Sequence, residues 1–96
     1  MKCTTIKYTN HAIEYMAKRG IVEEEAEKVI REGMVVEEYV SDKPFPSRLI
    51  LSFIDKRPIH LVLAYDEETA TCFVVTAYEP NLEKFEIDFK TRKKKL

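Results

Sequence analysis

Only two glycines occur in the 96 residues, and each stands where a helical apolar pattern has to stop. From His11 to Arg19 the apolar positions Ala12, Ile13, Met16 and Ala17 line one face at helical spacing. Thr9 and Asn10 offer an N-cap before this stretch, and Gly20 can adopt the left-handed conformation that ends it. After Ile21 a second stripe follows, made of Val22, Ala26, Val29 and Ile30. Glu23, Glu24 and Glu25 occupy its first turn, where negative charge meets the positive end of the helix dipole. Gly33 is expected to close this helix as Gly20 closes the first. The pattern predicts a two-helix hairpin from His11 to Gly33, with apolar faces that the rest of the chain must cover.

Beyond Gly33 the apolar pattern shifts to period two and short runs. Met34 to Val40, Arg48 to Ile54, Ile59 to Tyr65 and Thr71 to Tyr78 are strand candidates, and the β-branched stretch from Thr4 to Tyr8 makes a short first strand. The links Asp55-Lys56-Arg57-Pro58 and Asp66-Glu67-Glu68-Thr69 have hairpin length, which joins neighbours antiparallel. The runs Leu49-Ile50-Leu51 and Leu61-Val62-Leu63 lack alternation, as central strands covered on both faces do. Leu82 to Phe89 fits either a helix, through Leu82, Phe85 and Phe89, or a strand, through Phe85, Ile87 and Phe89. The expected fold is therefore α+β: a short first strand, a two-helix hairpin and a four-stranded antiparallel meander. One domain is expected over residues 1–89, with a basic tail over 90–96.

A hydrophobic share of 45% with 34% charged residues is a globular composition. No apolar run approaches the ~20 residues that span a bilayer, and Met1-Lys2-Cys3-Thr4-Thr5 lacks the apolar stretch of a secretory signal. A cytoplasmic protein without membrane contact is expected. Cys3 and Cys72 show no CxxC spacing and are expected to be reduced thiols. Net charge is −1, yet Lys90-Thr91-Arg92-Lys93-Lys94-Lys95 concentrates five basic side chains and no acidic one. Such a run attracts phosphate whatever the nucleic-acid sequence; its alternative reading is a solvated chain end. No HExxH, Walker or dinucleotide-binding spacing occurs, so no metal and no cofactor is expected.

Two groups of residues could carry chemistry. On the first helix His11, Tyr15 and Arg19 form a polar stripe bordering the buried face. A histidine moves protons near neutral pH, and an arginine holds a phosphate through its forked donors. In the fourth run, Cys72, Val74, Thr76 and Tyr78 are expected to share a face, and a meander sets Thr76 and Tyr78 beside His60. The same residues also have structural readings, as helix caps, edge cover and hydrogen-bonded strand side chains.

The segment His11-Ala12-Ile13-Glu14-Tyr15-Met16-Ala17-Lys18-Arg19-Gly20-Ile21 resembles the opening HAxxRMxxRGI motif of a family of small prokaryotic domains of unknown function. Asp42-Lys43-Pro44-Phe45-Pro46-Ser47, Arg57-Pro58-Ile59-His60-Leu61-Val62, Val75-Thr76-Ala77-Tyr78-Glu79-Pro80 and Phe89-Lys90-Thr91-Arg92-Lys93 extend the likeness in the same order. Tyr15 stands where the motif has its first arginine. The family looks like a relative of the RelE/BrnT-type toxins, and the resemblance implies their RelE-like architecture and a metal-independent, mRNA-cleaving toxin. It favours His11, Arg19, His60 and Tyr78 as catalytic, with Thr76 and Arg92 toward substrate; Lys93 and Lys94 of the basic run are expected to add sequence-independent affinity for the substrate. It also implies RNA and a zinc-finger or helix-turn-helix antitoxin as partners. The alternative is a non-catalytic binding or regulatory module, as a homodimer, in which the same residues hold the fold.

Overall fold

A computed structural model describes residues 2–94 of the chain. Its elements are β1 (Thr5–Tyr8), α1 (Asn10–Arg19), α2 (Glu23–Glu32), β2 (Met34–Tyr39), β3 (Ser47–Ile54), β4 (Arg57–Asp66) and β5 (Thr71–Tyr78). The α+β class expected from the sequence is what the chain adopts: two helices beside one five-stranded mixed sheet. Strand order is β1-β5-β4-β3-β2, with β1 parallel to β5 and the other neighbours antiparallel.

Local chemistry explains the two helices, which pack side by side on the sheet, α1 on β5 and α2 on β3 and β4, and not on each other as the expected hairpin. The Thr9 hydroxyl accepts the Ala12 amide at 3.0 Å and donates to the Val75 carbonyl at 3.1 Å, so the N-cap also pins α1 to β5. Gly20 ends α1 at φ 66° and ψ 34°, the left-handed cap that its lack of a Cβ permits. At the start of α2 the Val22 amide donates to the Glu25 carboxylate at 3.0 Å. Valine has no side-chain acceptor to return the favour, so this is half of a capping box. Gly33 corrects an expectation. It is extended, with φ −74° and ψ 163°, and it is not a left-handed cap. A Cβ there would lie 2.3 Å from Ile50 Cγ2 and 2.4 Å from the Val29 carbonyl oxygen, so close approach of α2 to β3 demands the glycine.

The principal core lies between helices and sheet. Ala12 and Met16 of α1, Ile21, and Ala26 and Val29 of α2 meet Ile50, Ile54, Ile59, Leu61, Leu63, Cys72, Val74 and Ala77. Alternation sends Leu49, Leu51, His60 and Val62 to the opposite face, and Leu49, Leu51 and His60 are buried there too. Phe45 stacks on Phe73 at 5.5 Å on that side, and the chain beyond Pro80 covers His60. Both faces of the central strands are thus occupied, which is why their sequences read as continuous apolar runs.

Two further expectations are corrected. Val62 pairs with Thr76 and Leu63 with Val74, so Val75 is an extra residue that reverses the alternation of β5. Cys72 and Val74 face the helices, whereas Thr76 and Tyr78 face the other way with His60. Cys3 and Cys72 are not free thiols; they form a disulfide with a Cα–Cα distance of 5.5 Å. Parallel pairing of β1 with β5, Thr5 against Thr71, brings together two residues 69 apart in sequence. The thiol argument for a reducing compartment therefore has no support in the fold.

Residues 82–89 are neither helix nor strand. They belong to a folded turn closed by a bridge between Phe85 and Arg92 and by the Lys93 amide donating to the Lys84 carbonyl at 2.9 Å. Inside it the Asp88 carboxylate accepts the amides of Lys90 and Thr91, each at 2.9 Å, and the Thr91 hydroxyl at 2.8 Å. The basic run is packed on the molecule as far as Lys93, while Lys95 lies outside the described residues. Among the described residues no helix is long and apolar enough to cross a membrane.

Candidate active site

His60 stands opposite Tyr78 in the β4–β5 register, and the two rings meet edge to face at 5.5 Å. The Phe85 ring closes on His60 from the C-terminal turn at 4.7 Å, nearly perpendicular. His60 Nε2 lies 2.7 Å from the Phe89 carbonyl oxygen. A carbonyl only accepts, so Nε2 carries the proton and Nδ1 is the bare, basic nitrogen. That Nδ1 is buried without a hydrogen-bond partner. Burial pushes the imidazole pKa down, with the bond to Phe89 opposing it, and His60 is held as the neutral base.

Beside it lies a network from β2 and the C-terminal turn. Arg92 grips the Glu37 carboxylate with two donors, Nε at 2.7 Å and Nη2 at 3.0 Å, and its guanidinium covers the Phe85 ring at 4.8 Å. The Tyr39 hydroxyl donates to the same carboxylate. The Arg92 hydrogen bonds hold Glu37 below the usual carboxylate range, while burial raises the phenols of Tyr39 and Tyr78. The face therefore carries a neutral imidazole, two protonated phenols and a guanidinium paired to a carboxylate. Those are the parts for taking a proton, giving one and neutralising an anion.

Stability should fall on mild acidification because of His60. Its folded-state pKa is below the ordinary 6.5, so as pH drops through that value the unfolded chain binds a proton that the native site resists. The contribution is full above pH 6.5 and is lost progressively below it; Glu37, also depressed, adds to the loss below its ordinary 4.5. Urea midpoints at pH 7.5 and 5.5 measure this, and His60→Gln should flatten the slope between them.

The second predicted group lies elsewhere. His11 stacks on Tyr15 at 4.2 Å, with Arg19 over the other end of the ladder at 4.6 Å from the Tyr15 ring and Lys18 at 5.1 Å. This ladder is on α1, which packs against the helix-facing side of the sheet, whereas His60 looks out from the opposite side. The sheet thus comes between His11 and Arg19 on one hand and His60 and Tyr78 on the other. Thr76, on the His60 face, is half-buried, and Lys93 and Lys94 are exposed. Glu37, Tyr39 and Phe85 were not singled out from sequence; the alternation of Glu37 and Tyr39 in a strand was the available signal.

Arg57 explains why several motif segments occur together. Its Nη2 donates to the Gly20 carbonyl at 3.3 Å and lies 3.4 Å from the Glu25 carboxylate, and its Nε lies 3.4 Å from Glu79. One side chain thus ties the helical turn, the start of β4 and the segment after β5. That role is architectural.

A family model matches residues 8–79, that of the family described as Domain of unknown function (DUF4258). No curated protein and no solved structure matches the chain.

Proposed function

The chain belongs to the DUF4258 family, matched across residues 8–79, and on that footing we propose that it is a metal-independent endoribonuclease. Its biological setting in this reading is that of a RelE/BrnT-like toxin, restrained by a zinc-finger or helix-turn-helix antitoxin. The observation that carries the reading is the convergence of His60, Tyr78, Glu37, Tyr39 and Arg92 on one sheet face.

In the reaction, an RNA 2′-hydroxyl attacks the adjacent phosphorus and the bond to the 5′-oxygen breaks. His60 takes the 2′-hydroxyl proton, a task for which its depressed pKa keeps it ready at neutral pH. Tyr78 gives a proton to the departing 5′-oxygen, and Arg92 neutralises the charge on the phosphorane. The products are a 2′,3′-cyclic phosphate and a 5′-hydroxyl, so atoms and protons balance without another reactant. Lys93 and Lys94 add sequence-independent attraction to the strand. His11 and Arg19 take no part in this step.

The test is incubation of purified protein with single-stranded RNA in excess chelator. New 2′,3′-cyclic phosphate ends, blocked by 2′-deoxy substitution at the cleaved position, are the expected result. Intact RNA, with no growth defect on expression, would refute the reading. A second reading, a non-catalytic binding module, is favoured by the complete burial of His60 under Phe85 and its bond to the Phe89 carbonyl. It predicts RNA that stays intact whatever else binds.

A further inference from the structure

We infer that residues 81–93 form a self-supplied cover over the His60 face, latched by the Arg92–Glu37 ion pair and removable as a unit. The functional meaning rests on the ribonuclease reading above; the geometry does not. Contacts to three strands hold the cover to the sheet. Phe85 is buried with its ring on His60, the Phe89 carbonyl accepts the His60 Nε2 proton, and Arg92 reaches across to Glu37 of β2. Phe89 adds an edge contact to Phe53 at 6.1 Å.

The cover is stitched to itself independently of the sheet. Its bridge from Phe85 to Arg92, the bond from the Glu86 amide to the Thr91 carbonyl at 2.8 Å and the Asp88 turn are all internal. It can therefore lift without losing its own shape, pivoting after Pro80, where β5 has ended. Closure is also imperfect. It leaves His60 Nδ1 buried without a protein hydrogen-bond partner, a cost that exposure to solvent on opening removes. When closed, the Phe89 carbonyl occupies the imidazole Nε2, and Arg92 is spent on Glu37. When open, the imidazole and the Glu37 carboxylate are uncovered, and Arg92, carried on the cover, is released from Glu37 to meet a phosphate that enters between cover and sheet.

The chain has only two histidines, which makes the test internally controlled. Diethyl pyrocarbonate modifies accessible neutral imidazoles, and peptide mapping reads His11 and His60 separately. In the wild type, exposed His11 should react fast and His60 slowly. Arg92→Gln should speed modification of His60 by about fivefold, the shift expected for losing one partly exposed two-donor ion pair, and leave His11 unchanged. Phe85→Ala should speed it further. Arg92 sits at the surface, so its replacement decides the matter even if the Phe85 variant fails to fold.

Faster His60 modification in folded protein supports the cover. If it comes without any RNA cleavage in Phe85→Ala, the cover stands and the ribonuclease reading falls. Unchanged His60 modification in folded Arg92→Gln, or a wild-type His60 that reacts as fast as His11, overturns the cover and leaves the cleavage assay to judge the enzyme.

Discussion

Replacing Gly33 by alanine is expected to cost about 3 kcal/mol or more of stability, the upper end of what overpacking a tight site does. The added methyl would meet Ile50 Cγ2 at 2.3 Å and the Val29 carbonyl oxygen at 2.4 Å. A side chain can rotate away from such a contact, but a helix carbonyl cannot move without shifting the end of α2. The Gly33 amide also donates to that carbonyl at 2.8 Å, so the chain here is held on both sides. Gly20→Ala is a different experiment. There the space is open and the strain is only that of a left-handed φ of 66°, about 1–2 kcal/mol. Urea denaturation of both variants should rank Gly33→Ala clearly below Gly20→Ala. Equal losses would contradict the packing account of α2 on β3.

Breaking the Cys3–Cys72 bond is the other large effect. The bond closes a loop of 69 residues and so restricts most of the unfolded chain. A chain-entropy estimate for such a loop is about 4 kcal/mol, and measured losses for native disulfides usually fall at about 2–4 kcal/mol. The bond also holds β1, a four-residue strand paired on one side only, against β5. Under a strong reductant, or in Cys3→Ala, the urea midpoint should fall and the amides of β1 should lose protection first. A midpoint indifferent to reductant would show that the bond adds nothing.

These two cases show where sequence reasoning reached its limit. The two helices were legible because apolar spacing, N-cap chemistry and glycine position agree along a short stretch from Thr9 to Gly33; what they pack on was not, since α1 lies on β5 and α2 on β3 and β4 rather than on each other as a hairpin. Gly33 was legible as a stop but not for its cause, since the atoms that exclude a Cβ belong partly to β3. The disulfide was invisible because its two ends meet only through the parallel pairing of β1 with β5. Alternation placed His60 correctly, but the extra residue Val75 reverses β5, and nothing in Thr71 to Tyr78 announces that bulge. Residues 82–89 were ambiguous because they follow neither period; their shape comes from the Asp88 turn and from Phe85 finding His60. The candidate site suffered most. His11 and His60 already stood in separate groups in the sequence; what it did not show is that the sheet lies between them and that Glu37, Tyr39 and Phe85 join the second.

The central claim is that chemistry belongs to the His60 face rather than to the α1 ladder. The measurement that tests it most directly is RNA cleavage by His60→Gln and His11→Ala beside the wild type, with folding of each checked by circular dichroism. The account predicts a loss of about a hundredfold or more in His60→Gln, as removal of a general base entails, and roughly wild-type cleavage in His11→Ala. Cleavage that survives without His60 and disappears without His11 would contradict it.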